Sequence, residues 1–320
     1  MLAGEIYAPQ KIRLVDTEEP ALAGDSIGEI LFQPELACLC GSDLTYFQNS
    51  YEEFPPRIGQ SLHEMIGRVV QTSGAKFCEG DRVLCVPVEH FGLWERFRVT
   101  ENNAILVDPR PSDVEAVMAQ PLATVLFALK KIPQVFDADV AVVGQGPMGQ
   151  LFNAVLRNLG ARRIIAIDLD PTRLEVSSQM GANHTVDAGA NDPVDAVAQI
   201  TGGAMCDLVV EAVGHREQVL NLCSDLCRKA GDLLFFGVPP AVVDGIELKK
   251  LFWKNIAIYT SVGPSFERDF PLAMRWIAER RVDVNPIVTH HFALDEIQIA
   301  FDTFFQHRDG ALKVFVEFPK

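Results

Sequence analysis

Up to about residue 121 the chain alternates apolar and polar positions in short runs. EIYAPQKIRLVD and GEILFQPELACLC carry a two-residue period, and MIGRVVQTSG is a further strand ending in a glycine turn. KFCEGDRVLCVPV reads as a turn and a strand, and WERFRVTENNAILVD as two strands around an Asn-Asn turn. These many short elements predict antiparallel β-structure. Over 113–131, DVEAVMAQPLATVLFALKK changes to helical spacing on both sides of Pro121. From about 137, strands and helices alternate: DVAVVG, PMGQLFNAVLRNLG, RRIIAIDLD, PTRLEVSSQMG, HTVD, DPVDAVAQITGG, CDLVVEAVG, HREQVLNLCSDLCRKAG, DLLFFGVPP and IAIYTSV. Such alternation predicts a parallel, doubly wound sheet. Beyond 262, the helical patterns FPLAMRWIAERRV and ALDEIQIAFDTFFQHR precede LKVFVEF, a strand whose simplest partner lies in the first domain. The predicted fold class is therefore α/β, with a β-rich domain from 1–121 and 262–320 and a doubly wound domain over 122–261.

Composition narrows the functional classes. With 48% apolar and 22% charged residues, the 320-residue chain is long enough for two cores. A formal net charge of −15 repels phosphate backbones and anionic bilayers, so neither nucleic acid nor a membrane surface is an expected partner. No apolar run reaches the length of a membrane span, and the start MLAGEIYAPQKIRLVD lacks the pattern of a signal peptide. Seven scattered cysteines form neither a disulfide framework nor a four-cysteine zinc cluster, so a reducing cytoplasm is the expected location.

Two motifs carry chemistry. Cys40-Gly41-Ser42-Asp43, followed downstream by His63-Glu64, brings together a thiolate, an imidazole and a carboxylate. Such ligands hold a catalytic zinc while leaving a position open. Asp43 supplies an orienting carboxylate and Ser42 a hydroxyl able to pass a proton. The spacing alone is equally met by a buried thiol and a hydrogen-bonded histidine.

The second motif, Gly144-Gln145-Gly146-Pro147-Met148-Gly149, follows a buried strand and opens a helix. In that context Gly144 allows the tight turn, Gly146 lets a pyrophosphate approach the backbone, and Gly149 allows close helix–strand packing. Asp168 ends the next strand 19 residues after Gly149, where a carboxylate accepts from a ribose 2′-hydroxyl and repels a 2′-phosphate. NAD is expected over NADP; Arg173, which can serve either cofactor, keeps NADP open.

The order CGSDL (40–44), HEMIGRVV (63–70), EGDRV (79–83), QPLAT (120–124), VVGQGPMG (142–149), LDPTRLE (169–175), MGA (180–182), DLVVEAVG (207–214) and LKVFVEF (312–318) resembles the zinc-containing medium-chain alcohol dehydrogenases. The nearest branch is the sorbitol- and threonine-dehydrogenase-like one. The resemblance covers nearly the whole chain. It implies a GroES-like catalytic domain, a Rossmann domain, and pyridine-nucleotide-linked interconversion of a secondary alcohol or polyol and its ketone. It further implies Cys40 and His63 as zinc ligands, Asp43 bracing the histidine, and Ser42 taking the substrate proton. Thr124 and Gly237-Val238 fall at nicotinamide contacts, and Lys313 where a basic residue approaches the cofactor phosphates. A homodimer or homotetramer is implied, with IAIYTSV as the pairing edge.

The departures from that pattern matter as much. Gln120 replaces the acidic or cysteine residue before Pro-Leu-Ala, which makes Glu64 the expected third ligand and leaves Gln120 to hold water by hydrogen bonding. Thr45 replaces a proton-relaying histidine, and Leu62 the glycine before His-Glu. The lobe holding a structural zinc is missing, with VLCVPVEHFGLWERF running through its place. One catalytic zinc per chain, and no structural zinc, is the expectation. A zinc-free quinone or enone reductase and a non-catalytic dinucleotide-binding protein are the alternatives.

Other residues carry weaker signals. His90, Phe91 and Trp94 read equally as pocket lining or as a surface histidine with core aromatics. His290-His291, adjacent in a strand, point to opposite faces. Glu211 reads as a strand end or a ribose contact, and Cys38 as a buried apolar group or a spare ligand. Phe301, Phe304 and Phe305 at helical spacing read as core or interface.

Overall fold

The structure is a computed structural model, and it describes residues 1–24, 26–49, 54–214 and 219–319. Contacts divide the chain into two units. The first comprises Met1–Gln120, Ser265–Glu279 and Val288–Lys320, and the second Pro121–Pro264 and Arg280–Ile287. Residues 280–287 thus group with the second unit, where the Asn158 amide donates to the Arg281 carbonyl at 2.6 Å.

The first unit begins with β1 (Leu2–Ala8), β2 (Lys11–Asp16), β3 (Glu29–Cys38), the short helix α1 (Asp43–Phe47), β4 (Glu64–Thr72), β5 (Arg82–Cys85), β6 (Phe97–Thr100), β7 (Ala104–Leu106) and α2 (Asp113–Val117). Helix α3 (Ala119–Leu129) carries the chain into the second unit. There β8 (Asp139–Val143), α4 (Pro147–Asn158), β9 (Arg163–Asp168), α5 (Pro171–Gln179), β10 (His184–Asp187), α6 (Pro193–Thr201), β11 (Cys206–Glu211), α7 (Val219–Leu226), β12 (Cys227–Phe235), α8 (Leu248–Lys254) and β13 (Ala257–Thr260) alternate. The chain returns through α9 (Asp269–Ala278), β14 (Val288–Ala293), α10 (Ile297–Phe305) and β15 (Lys313–Glu317).

In the first unit β1 and β2 form a hairpin, and the main sheet runs β14-β15-β3-β4-β5-β7 with β6 also on β3. The two strands around Asn102-Asn103 therefore do not pair with each other: β6 joins β3 and β7 joins β5. The closing strand β15 lies parallel to β14 and antiparallel to β3. In the second unit the six strands, ordered β10-β9-β8-β11-β12-β13, are all parallel. Every residue of β8 is buried, as expected for a strand covered on both faces.

One boundary differs from the periodicity. The predicted helix 215–231 begins outside the described residues, and its described part ends at Leu226, where β12 starts. Cys227 pairs in register with Cys206, and the Lys254 ammonium caps the helix end on the carbonyls of Ser224, Asp225 and Cys227 at 2.7–3.1 Å.

Helix α1, which carries Asp43, is pinned from below. Phe47 is fully buried with its ring centroid 5.0 Å from that of Phe301 on α10. Truncating such a ring removes its burial and leaves a cavity, so Phe301→Ala is expected to destabilise the protein by about 3–5 kcal/mol. Urea denaturation checks this, and a loss below about 1 kcal/mol contradicts the packing described.

Candidate active site

The metal-capable side chains meet where three strand ends coincide. Strand β3 ends at Cys38, β4 starts at Glu64 as its register partner, and β15 starts at Lys313 beside them. Cys40 follows β3 on a turn anchored by Leu39 N donating to Val314 O at 2.9 Å. Asp43 then stitches the turn to the approach to β4. Its Oδ2 accepts from Cys40 N at 2.8 Å, and its Oδ1 accepts from Leu62 N at 2.7 Å and Ser61 Oγ at 3.0 Å. Leu62, where the resemblance implies glycine, has φ +64° with its side chain in the core. A left-handed conformation costs a leucine about 1–2 kcal/mol, which the Asp43 bond and the buried side chain offset.

One ligand atom each from Cys40, His63 and Glu64 lies within 4.8 Å of the others. The His63 Nδ1 is 3.9 Å from Asp43 Oδ1, and neither it nor the Ser42 hydroxyl has a hydrogen-bond partner among the described residues, although both are buried. Burial opposes charge on Asp43. The nearby His63 imidazole, the field of His90 and the Cys40 N–H more than offset this and lower its pKa. Burial likewise opposes a charged His63, yet Asp43 and Cys40 raise its affinity for a proton well above that of a free imidazole. The pocket thus favours a cation, supplies sulfur, nitrogen and oxygen donors at ligand spacing, and leaves buried polar atoms unpartnered. These residues fit a zinc ion.

Lys313 differs from its expected place near the cofactor phosphates. It is 1% exposed, and its ammonium pairs with the equally buried Glu64 carboxylate. Burial disfavours its charge, but Cys38, Glu64 and Cys40 together raise its pKa. Glu64 therefore faces both the Cys40–His63 pair and a buried cation. Burial raises the pKa of the Cys38 thiol, and Cys38 stands outside the cluster of donor atoms formed by Cys40, His63 and Glu64.

Thr45 donates its hydroxyl to the Ser42 carbonyl at 2.7 Å, and Gln120 is buried in the first turn of α3. His90 is closer to the donors than its loop position suggests. Its ring stacks on His63 with centroids 4.2 Å apart and meets Tyr46 edge-on at 5.7 Å, on a backbone at φ +59°. Burial, reinforced by the neighbouring His63 charge, pushes its pKa down to about 4. Phe91 lies under the Arg57 guanidinium at 4.3 Å.

In the second unit the glycine motif is built as its spacing requires. Gly144 has φ +93°, and a Cβ on Gly149 would come within 1.9 Å of Gly144 O. Gly146 caps α4 with open space above its Cα, Pro147 takes the first helical position, and Met148 follows. Asp168 ends β9, accepting from Gln145 N at 2.5 Å and Asp170 N at 3.0 Å, with Arg173 3.9 Å away. Thr124 on α3 donates to Pro121 O, and Gly237-Val238 follow β12. Open space above the helix cap, beside a strand-end carboxylate, fits a dinucleotide.

The fold and these two sites define the class of metal-dependent, nucleotide-linked oxidoreductases. A family model described as "Alcohol dehydrogenase GroES-like domain" matches residues 26–103, and one described as "Zinc-binding dehydrogenase" matches 147–279. The sorbitol dehydrogenase of Bacillus subtilis (strain 168) is 24% identical, over 99% of this chain and 97% of its own length. An L-threonine 3-dehydrogenase of Alteromonas mediterranea is 25% identical over 92% and 94%. The solved alcohol dehydrogenase TADH from Thermus sp. ATN1 superposes with a TM-score of 0.88 at 25% identity, covering 100% of both chains. The chain belongs to the zinc-type medium-chain alcohol dehydrogenases, in the branch of the sorbitol and threonine dehydrogenases.

Breaking the buried Lys313–Glu64 pair strands a carboxylate. Lys313→Met is expected to cost the metal-free protein about 3–5 kcal/mol and to regain more stability on adding zinc than the unmodified protein does. Melting curves with and without zinc check both. Asp43→Asn is expected to weaken zinc binding by about 10–100-fold, measured by competition with a chromophoric chelator.

Proposed function

We propose that the protein is a zinc-dependent dehydrogenase that transfers a hydride between a secondary alcohol or polyol, or the matching ketone, and NAD. One observation carries the reading: Cys40, His63 and Glu64, braced by Asp43, occur in the same chain as a glycine loop gated by Asp168. The polyol class is supported by the sorbitol dehydrogenase relative. Held by Cys40, His63 and Glu64, a zinc ion would supply Lewis acidity, and a dinucleotide over the Gly144–Gly149 turn would supply a hydride acceptor.

The chain's own groups do the rest. Asp43 fixes the orientation of His63 and the Cys40 turn. The Ser42 hydroxyl, without a hydrogen-bond partner among the described residues, takes the substrate proton as it gives up its own, and the Thr45 hydroxyl, which donates to the Ser42 carbonyl, extends the relay by turning from that bond. Gln120 offers an uncharged amide in place of a carboxylate or thiolate, so the site keeps more positive charge. Asp168 accepts from the ribose hydroxyls and disfavours a 2′-phosphate.

We assign the first unit to catalysis and the second to cofactor binding, one zinc to each chain, and the cytoplasm as its location. No helix among the described residues is long and apolar enough to cross a membrane. A homodimer or homotetramer is supported by β13, an edge strand with Ile258 exposed, and by exposed Phe252, Trp253 and Val262 nearby.

Purified, zinc-loaded protein is expected to form NADH with at least one member of a panel of diols and sugar alcohols, and to lose that activity on chelation. Turnover that survives complete zinc removal favours a zinc-free reductase, and silence across the panel favours a non-catalytic binding protein. Asp168→Asn is expected to narrow the preference for NAD over NADP by about tenfold, read from the ratio of kcat/KM values. An unchanged ratio contradicts the role given to Asp168.

A further inference from the structure

The turns after β8, β11 and β12 converge closely at their glycines. A Cβ on Gly144 would come within 2.8 Å of Val213 Cγ2, and one on Gly237 within 2.3 Å of Gly214 N. Gly214, at φ +66°, faces the main chain of Val238. At the centre of this junction lies Glu211, the last residue of β11 and 1% exposed. Its Oε1 accepts from Val213 N at 2.8 Å and Gly214 N at 2.9 Å, and its Oε2 accepts from Gly237 N at 3.1 Å. Its main-chain carbonyl accepts from Phe236 N and Gly237 N, both at 3.1 Å. One buried side chain thus ties the turn after β11 to the turn after β12.

Ending a strand does not require a buried carboxylate, whose desolvation is costly unless directed N–H groups replace water. To the main-chain bonds that already join the two turns, this carboxylate adds a side-chain tie between Val213-Gly214 and Gly237. The strand order reverses between β8 and β11, and a dinucleotide crosses the sheet at such a point. One half then lies over the Gly144–Gly149 turn and Asp168, and the other over the turns after β11 and β12.

We propose that Glu211 is a positioning residue for the nicotinamide half of the cofactor. It makes Val213-Gly214 and Gly237-Val238 a single platform, while the glycine motif and Asp168 hold the adenosine half without it. The assignment rests on the dinucleotide-binding reading given above.

Glu211→Gln separates the two halves. The amide keeps one acceptor oxygen but turns an NH2 group toward an N–H donor, so the bond to the β12 turn is lost. Zinc-loaded protein and variant are titrated by calorimetry with ADP-ribose, which lacks the nicotinamide, and with NADH. NADH affinity is expected to fall about tenfold, the loss of one charge-assisted bond, while ADP-ribose affinity stays within about twofold. KM for NAD is expected to rise more than kcat falls. Equal loss of both ligands, or no loss of either, in a variant that melts cooperatively overturns the assignment. Unmodified protein that fails to bind ADP-ribose overturns the dinucleotide reading, and the assignment with it. If Glu211→Gln does not fold, Glu211→Asp keeps the charge but is too short to reach both turns, and it is expected to show the same selective loss of NADH.

Discussion

The Asp43 carboxylate is the interaction on which the candidate metal centre depends. It is fully buried, and its bonds join the turn bearing Cys40 to the Ser61-Leu62 segment leading to His63, 18 and 19 residues beyond Asp43. The β3–β4 pairing brings the two segments side by side, and Asp43 fixes the turn bearing Cys40 against the approach to His63. Burying a charge is tolerated because directed donors replace its water and because the neighbouring imidazole lies within its field. The same negative potential that draws a proton onto His63 suits the pocket to a metal ion.

A second buried charge pair lies behind the first. Glu64 and Lys313 meet because β4 and β15 both start at the level where β3 ends. Burial raises the pKa of the Cys38 thiol and the Lys313 ammonium partly opposes this, while Cys40 is the one sulfur among the clustered donors Cys40, His63 and Glu64. The donor cluster therefore lies among two carboxylates, one lysine and one cysteine, and Glu64 is shared between the metal-capable donors and the lysine. Leu62 at positive φ shows that this arrangement is held against local backbone preference.

Features encoded over short distances were legible in the sequence. The central strands β8, β9 and β11 stand out as apolar runs because they are buried along most of their length, and the glycine motif and Asp168 because their spacing along the chain is also their spacing in the turn. The Cys40, Asp43 and His63 set emerges from motif order. Long-range partners were not legible. Lys313 opens a strand like any exposed lysine, and only Glu64, 249 residues away, explains its burial. His90 has no periodic context, and a left-handed backbone brings it onto His63. The end of α7 was hidden because Arg228 and Lys229 look like a basic helix terminus, whereas Cys206 and the Lys254 ammonium decide where the helix stops.

X-ray absorption at the zinc edge of the metal-loaded protein tests the central claim most directly. A centre built on Cys40, His63 and Glu64 has one sulfur at about 2.3 Å and otherwise nitrogen or oxygen at about 2.0–2.2 Å. Replacing Cys40 with serine is expected to remove the sulfur shell. A shell of several sulfurs, none at all, or one that survives Cys40→Ser would contradict the account.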